Sequence, residues 1–193
     1  MNFLAHCYLS CSDEDVLIGN FITDFISKKE AETYTGGIKK GIDLHRNIDE
    51  YTDHHEASLA LRKILRRRHG KYAPVVVDLV WDYFLSINWR HYSGSTLVDF
   101  NKGIYEILLR RIDELPDKLS GRISEMIKDD FLMAYATEDR MKESLAWMDN
   151  RVKFASAFHE TPYDIKENYK EIETLFGQFF PDLIAYSEEV CPC

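Results

Sequence analysis

The chain has 193 residues, enough for one domain with a substantial core, and its 9 glycines and 5 prolines leave too few turns for a β-sandwich or barrel. Hydrophobic residues at 45% and aromatic residues at 13% exclude a disordered chain. With 24 Lys and Arg against 33 Asp and Glu, the net charge of −9 disfavours nucleic-acid and anionic-membrane partners, whose phosphates attract the opposite sign.

Helical periodicity runs through the sequence. A first short helix is expected over residues 2–9. A second, capped near Ser12 or Asp13, continues to about 27 with Leu17, Phe21 and Phe25 at i, i+4, i+8. The Gly36-Gly37 turn opens a third over 38–51, and a basic helix over 56–69 stops at Gly70. Pro74 suits the first turn of a helix over 75–88. Further helices are expected near 96–114, 120–135, 138–158 and 163–179, with a short one after Pro181; Pro116, Pro162 and Pro181 fall between segments. Strand-like alternation is missing, so the reading is an all-α, single-domain multi-helix bundle over residues 1–193.

No run approaches the roughly 18 apolar residues of a membrane span, and the N-terminus lacks the basic region of a secretory signal. Cys7 and Cys11 are four residues apart and Cys191 and Cys193 flank a proline, neither with zinc-site spacing, so reduced thiols in a cytoplasmic protein are expected.

Ionisable groups that interrupt apolar helix faces carry the chemical information, because burial costs several kcal/mol unless they are paired or bind metal. On the 75–88 helix, Val76, Leu79, Val80, Tyr83, Phe84 and Ile87 fill one side. Asp78 and Asp82 sit one turn apart among Val75, Trp81 and Leu85 on the other. A shared cation would relieve their repulsion; a wet edge would also accommodate them. On the third helix Ile38, Ile42, His45, Asp49 and Thr52 share a face, so His45 and Asp49 are either a local ion pair or ligands. Asn20 and Asp24 are a turn apart beside Phe21 and Phe25. His6 interrupts an apolar opening as a hydrogen-bonded core residue or a ligand. Together His6, Asp24, His45, Asp49, Asp78 and Asp82 come from four helices, the arrangement by which helical bundles build metal sites. Mixed imidazole and carboxylate sets suit Mn²⁺, Fe²⁺ or Zn²⁺, and carboxylate-rich ones lean to harder ions such as Mg²⁺. Zincin, P-loop, serine-hydrolase and dinucleotide motifs are absent from the sequence.

These residues fall into spaced motifs: Met1-Asn2-Phe3-Leu4-Ala5-His6, Gly19-Asn20 with Asp24-Phe25, Gly41-Ile42 with Leu44-His45-Arg46, Ile48-Asp49, Thr52-Asp53, then Asp78, Trp81-Asp82, Phe84-Leu85 and Trp89. In this order they resemble the bacterial acyl carrier protein phosphodiesterases, densely over residues 1–90 and only in length and helical character over 91–193. The resemblance implies a motif-bearing first half and a scaffold half. It also implies hydrolysis of 4′-phosphopantetheine from holo-acyl carrier protein, manganese dependence and an architecture related to the HD-type metal phosphohydrolases. His6, Asp24, His45, Asp49, Asp78 and Asp82 then carry the metal site, with Arg46 and Asp53 beside it. The chain departs from the HD pattern in having no adjacent His-Asp pair.

On that reading His6, His45, Asp24 and Asp78 are metal ligands, Asp49 or Asp82 ligates or orients the attacking water, and Arg46 either contacts the phosphate or lies on the surface. The basic helix, with Arg62, Lys63, Arg66 and Arg67 at helical spacing, is either a solvated face or a docking surface for the acidic carrier protein. The same residues also admit a helical phosphohydrolase acting on a nucleotide or other small phosphodiester, or a non-catalytic carrier-binding module.

Overall fold

The computed structural model describes residues 1–10 and 13–191, and every regular element among them is helical. Cys11 and Cys193, and Ser12 as a cap, lie outside the described residues. In chain order the helices are α1 (Phe3–Tyr8), α2 (Glu14–Ile22), α3 (Lys28–Ala31), α4 (Gly36–His54), α5 (Glu56–His69), α6 (Ala73–Ile87), α7 (Trp89–Tyr92), α8 (Leu97–Arg110), α9 (Asp117–Lys128), α10 (Glu138–Asp149), α11 (Thr161–Glu167) and α12 (Tyr169–Val190), with short 3₁₀ turns between several of them.

Local chemistry explains the boundaries. Asp13 caps α2 by accepting from the N–H groups of Asp15 and Val16. The expected extension of α2 to residue 27 fails because Ser27 starts a new helix: its hydroxyl accepts from the Glu30 N–H while its own N–H donates to the Glu30 carboxylate. Helix α5 runs over the expected residues and stops at Gly70, whose φ of 51° suits glycine. The last helix differs most from expectation. Pro181 lies inside α12, not between two helices. Its exposed side leaves Phe176, Phe179, Phe180 and Leu183 buried as one continuous face, and that burial outweighs the roughly 3 kcal/mol penalty of an internal proline. Helix α10 ends at Asp149, short of residue 158, because that carboxylate accepts from the Ser156 hydroxyl and from the N–H groups of Phe158 and His159.

Two hydrophobic cores organise these helices. In the first, Trp81 and Phe84 of the central helix α6 pack on Phe176 and Phe179 of α12. In the second, Leu17, Ile18, Phe21 and Ile22 of α2 meet Ile104 and Leu108 of α8 and Leu119 and Ile123 of α9. Helix α1 belongs to both: Leu4, Ala5 and Leu9 flank the first core and Cys7 enters the second. The C-terminal half therefore supplies a wall of each core.

The α2–α4 crossing sets the position of the polar residues. A Cβ on Gly19 would lie 1.9 Å from the Ile38 carbonyl oxygen, and one on Gly41 would lie 2.1 Å from that of Val16. Only glycine at both places lets the two backbones touch. Asn20 follows Gly19 and His45 lies one turn beyond Gly41, so this contact delivers the amide of α2 to the imidazole of α4.

Candidate functional site

His6 from α1 and His45 from α4 stack face to face, ring centroids 4.0 Å apart and 14° from parallel. Both are buried, although histidine alone supplies no reason for two imidazoles to share a core. Asn20 supplies it. Its side-chain oxygen accepts from Nδ1–H of His6 at 2.9 Å and of His45 at 3.1 Å, and its backbone carbonyl accepts from His45 Nδ1–H at 2.9 Å. The amide orientation is fixed because Nδ2 donates to the His6 carbonyl and to the Ser10 hydroxyl, each at 2.9 Å. Carbonyl oxygens only accept, so both rings carry their proton on Nδ1 and aim Nε2 the other way.

Both Nε2 atoms point at Asp49, half-exposed at the rim. Its Oδ1 is 3.1 Å from His6 Nε2 and its Oδ2 is 3.2 Å from His45 Nε2. Asp24, from the 3₁₀ turn after α2, approaches His45 Nε2 at 3.4 Å. The ligand atoms of His6, His45 and Asp49 all lie within 4.8 Å of one another.

The electrostatics of this cluster are unbalanced. Burial and the neighbouring His45 push His6 down to about 4, so it is neutral at physiological pH. Burial also opposes charge on His45, but hydrogen bonds to Asp24 and Asp49 prevail and raise it to about 9. Burial resists ionisation of Asp49, yet the hydrogen bond from His45 holds it well below the usual carboxylate range. A neutral His6 whose only proton is given to Asn20 presents a bare lone pair to a carboxylate at 3.1 Å, acceptor against acceptor. A divalent cation resolves that opposition. Two ligands held about 2.1 Å from one ion lie roughly 3.0–3.4 Å apart, which the observed separations match. The donor set therefore fits a metal.

The other expected ligands have different partners. Asp82, buried on α6, caps α1: it accepts from the N–H groups of Leu4 (2.9 Å), Asn2 (3.2 Å) and Ala5 (3.4 Å). Burial lifts its carboxyl to about 7 despite those bonds. Asp78 is 2.9 Å from the α-amino group of Met1, which is also 3.6 Å from Asp49. An ammonium at Asp78 and a helix N-terminus at Asp82 offset the repulsion expected between the two carboxylates. Arg46 pairs with Asp43 at 3.7 Å on the outer face of α4. Of the basic helix, Arg62 is tied to Asp53 at 2.5 Å, whereas Lys63 and Arg66 are exposed and have no ion pair among the described residues. Neither Asn20 nor Ser10 carries a charge that marks it in the sequence as an orienting group; the signal for Asn20 is its place beside Gly19, one turn before Asp24.

A family model described as acyl carrier protein phosphodiesterase matches residues 1–183. The chain belongs to the acyl carrier protein phosphodiesterase family. Relatives of that name include one from Serratia proteamaculans, 29% identical over 190 residues and 98% of each chain. Another from Shigella boydii is 30% identical over 186 residues and 96% of each, and one from Escherichia coli is 29% identical over 95% of this chain and 96% of its own. No solved structure matches. The family is one of hydrolytic enzymes, and the match extends well past residue 90, so the second half carries family character as well. No helix among the described residues is long and apolar enough to cross a membrane.

Proposed function

We propose that the protein hydrolyses the phosphodiester between 4′-phosphopantetheine and the serine of holo-acyl carrier protein, releasing apo-carrier, with a divalent metal, Mn²⁺ by preference, held by His6, His45 and Asp49. The observation that carries this reading is the convergence of two Nε2 atoms, each with its Nδ1 locked by Asn20, on one carboxylate in a chain of this family. Kinship to the HD-type phosphohydrolases belongs to the same reading and rests on donor types, since the chain lacks their adjacent His-Asp pair.

A bound metal supplies an acidified water and neutralises charge on the phosphoryl oxygens. The chain's own residues do the rest. Asn20 takes the Nδ1 proton of both imidazoles, so His6 presents a free Nε2 and His45 has only the Nε2 proton it shares with Asp24 and Asp49 to give up before it can ligate. Asp24, half-exposed beside His45, is placed to take the proton of the attacking water or to complete the ligand set. The Met1 ammonium, its pKa raised to about 10 because Asp78 and Asp49 outweigh the effect of burial, lies 3.6 Å from Asp49 Oδ1, the oxygen that His6 also faces. Asp82 fixes the start of α1 and with it His6. Lys63 and Arg66 offer positive charge to the acidic carrier.

The test is incubation of the protein with Mn²⁺ and holo-acyl carrier protein, followed by intact-mass measurement. Loss of the phosphopantetheine mass, abolished by chelator and by Asp24→Ala in a protein of unchanged helical content, is expected. No mass loss with any of Mn²⁺, Mg²⁺, Fe²⁺ or Zn²⁺ would overturn the reading.

A further inference from the structure

In a chain with an excess of acidic residues, three exposed cations have no carboxylate partner among the described residues and lie on aromatic rings instead. The Lys71 ammonium sits 3.3 Å from the ring centre of Phe154 and 5.1 Å from that of Tyr72; Lys153 is 5.9 Å from Phe154; and the Arg151 guanidinium is 4.4 Å above Trp147. The rings are themselves exposed, Phe154 at 58% and Trp147 at 56%. The nearby carboxylates are occupied: Asp149 by the 156–159 backbone and side chains, and Glu160 and Glu167 by Arg68. Neither core requires this patch, and exposing two large aromatic rings costs the isolated chain apolar burial.

Both ends of the patch connect to elements around the site. Lys71 lies in the 3₁₀ turn that leads into α6, the helix that carries Asp78. Val75, exposed at 41%, lies one turn from Asp78 on the intervening surface. At the other end of the patch, Met148 adjoins Trp147 in sequence and accepts a hydrogen bond from the Tyr135 hydroxyl at 3.6 Å, while Tyr135 itself contacts Asn2 at the start of α1. A phosphodiester attached to a protein's own serine can reach the Asp49 rim only if that protein's surface lies against the rim, so a docking surface must adjoin the site.

We propose that Trp147, Arg151, Lys153, Phe154 and Lys71 form the docking surface for the acidic carrier protein, with Phe154 and Trp147 as apolar anchors and the three cations engaging its carboxylates. The proposal rests on the carrier protein being the substrate. It shifts the centre of recognition from the middle of α5, where Arg62 is already paired with Asp53, to the α10–α11 loop and the start of α6. Arg and Trp at the centre of a contact are the residue types that dominate protein–protein affinity.

The test uses Trp147 as its own probe, since the other two tryptophans, Trp81 and Trp89, are buried. Acrylamide quenching of the full-length protein is titrated with holo- and apo-acyl carrier protein, and phosphopantetheine release is read by mass in the same samples. Carrier binding is expected to protect Trp147, and Phe154→Ala and Lys153→Glu each to raise Kd by about tenfold or more. Lys128→Glu, on α9, is expected to stay within about twofold. Circular dichroism confirms that each variant is folded, and Lys153, being exposed, tests the surface even if Phe154→Ala disturbs the loop. Unchanged Kd in Lys153→Glu and in a folded Phe154→Ala would overturn the proposal. So would Trp147 left fully quenchable by bound carrier, or protected by phosphatidylglycerol vesicles and not by carrier. Release without these binding effects leaves the catalytic reading standing and removes the surface. Binding effects without release leave the surface and remove the catalytic reading.

Discussion

The molecule contains two buried histidine–aspartate clusters of opposite character. In one, His69 at the end of α5 shares a 2.8 Å hydrogen bond between Nε2 and Asp164 of α11, and Arg68 donates to the other oxygen of the same carboxylate at 2.6 Å. Asp164 is buried and compensated by its own cation, so the group is closed and latches α11 to α5. In the other, His6 and His45 give their Nδ1 protons to Asn20 and turn Nε2 toward a half-exposed Asp49 that also faces solvent. Residue types are shared; what differs is which nitrogen is committed and whether the carboxylate is sealed. A histidine whose outward nitrogen meets a buried, compensated carboxylate is a structural fastener. A pair whose inward nitrogens are locked by an amide has the geometry of a ligand set.

That contrast can be broken from either side. The largest expected effect is Asp49→Asn, which should reduce phosphopantetheine release by about a thousandfold or more with helical content preserved, because it removes the carboxylate both imidazoles address. The reciprocal change, Asp164→Ala, should lower stability by about 3 kcal/mol in urea unfolding, since Arg68 and His69 lose their buried partner, while the folded fraction keeps its turnover. Gly41→Ala should also destabilise strongly, by several kcal/mol, as its Cβ would meet the Val16 carbonyl. Unlike Asp164→Ala, it should also lower metal affinity in the remaining folded protein. Asn20→Ala should weaken metal binding by about ten- to a hundredfold, measured by metal titration, with a smaller loss of stability.

The smallest effect concerns a histidine–aspartate contact on the surface, between His159 and Asp149. Hydrogen bonds from Ser156 and His159 hold the Asp149 carboxyl down at about 2 against the opposing effect of burial. A carboxylate depressed on folding adds stability that is present above pH about 4 and lost as pH falls through about 2. Asp149→Asn should therefore flatten the stability profile across that window and leave metal binding unchanged.

Much of the helical architecture, and His6, Asp24, His45 and Asp49, was legible because each of these residues interrupts an apolar face at helical spacing. Asp82 was legible as an anomaly but not in its role. Its partners are backbone N–H groups 77 to 80 residues away, which no pattern of side-chain types reveals. The role of Asn20 is not legible from charge, because its amide carries none, although it orders both imidazoles. His69 sits at the end of a basic helix, and nothing local marks its partner, since Asp164 lies 95 residues further on. Pro181 misled for a related reason: local propensity marked a break, and the aromatic face of α12 against α6 overrode it.

On the proposed function, the Asn20-locked pair with Asp49, and not the His69–Asp164 pair, holds the metal. Titration of Mn²⁺ followed by the spectrum of the free ion tests it directly. The wild-type protein and Asp164→Asn should both remove free Mn²⁺ from solution, and Asp49→Asn should leave it free. Equal binding by Asp49→Asn and the wild type, or loss of binding confined to Asp164→Asn, would contradict it.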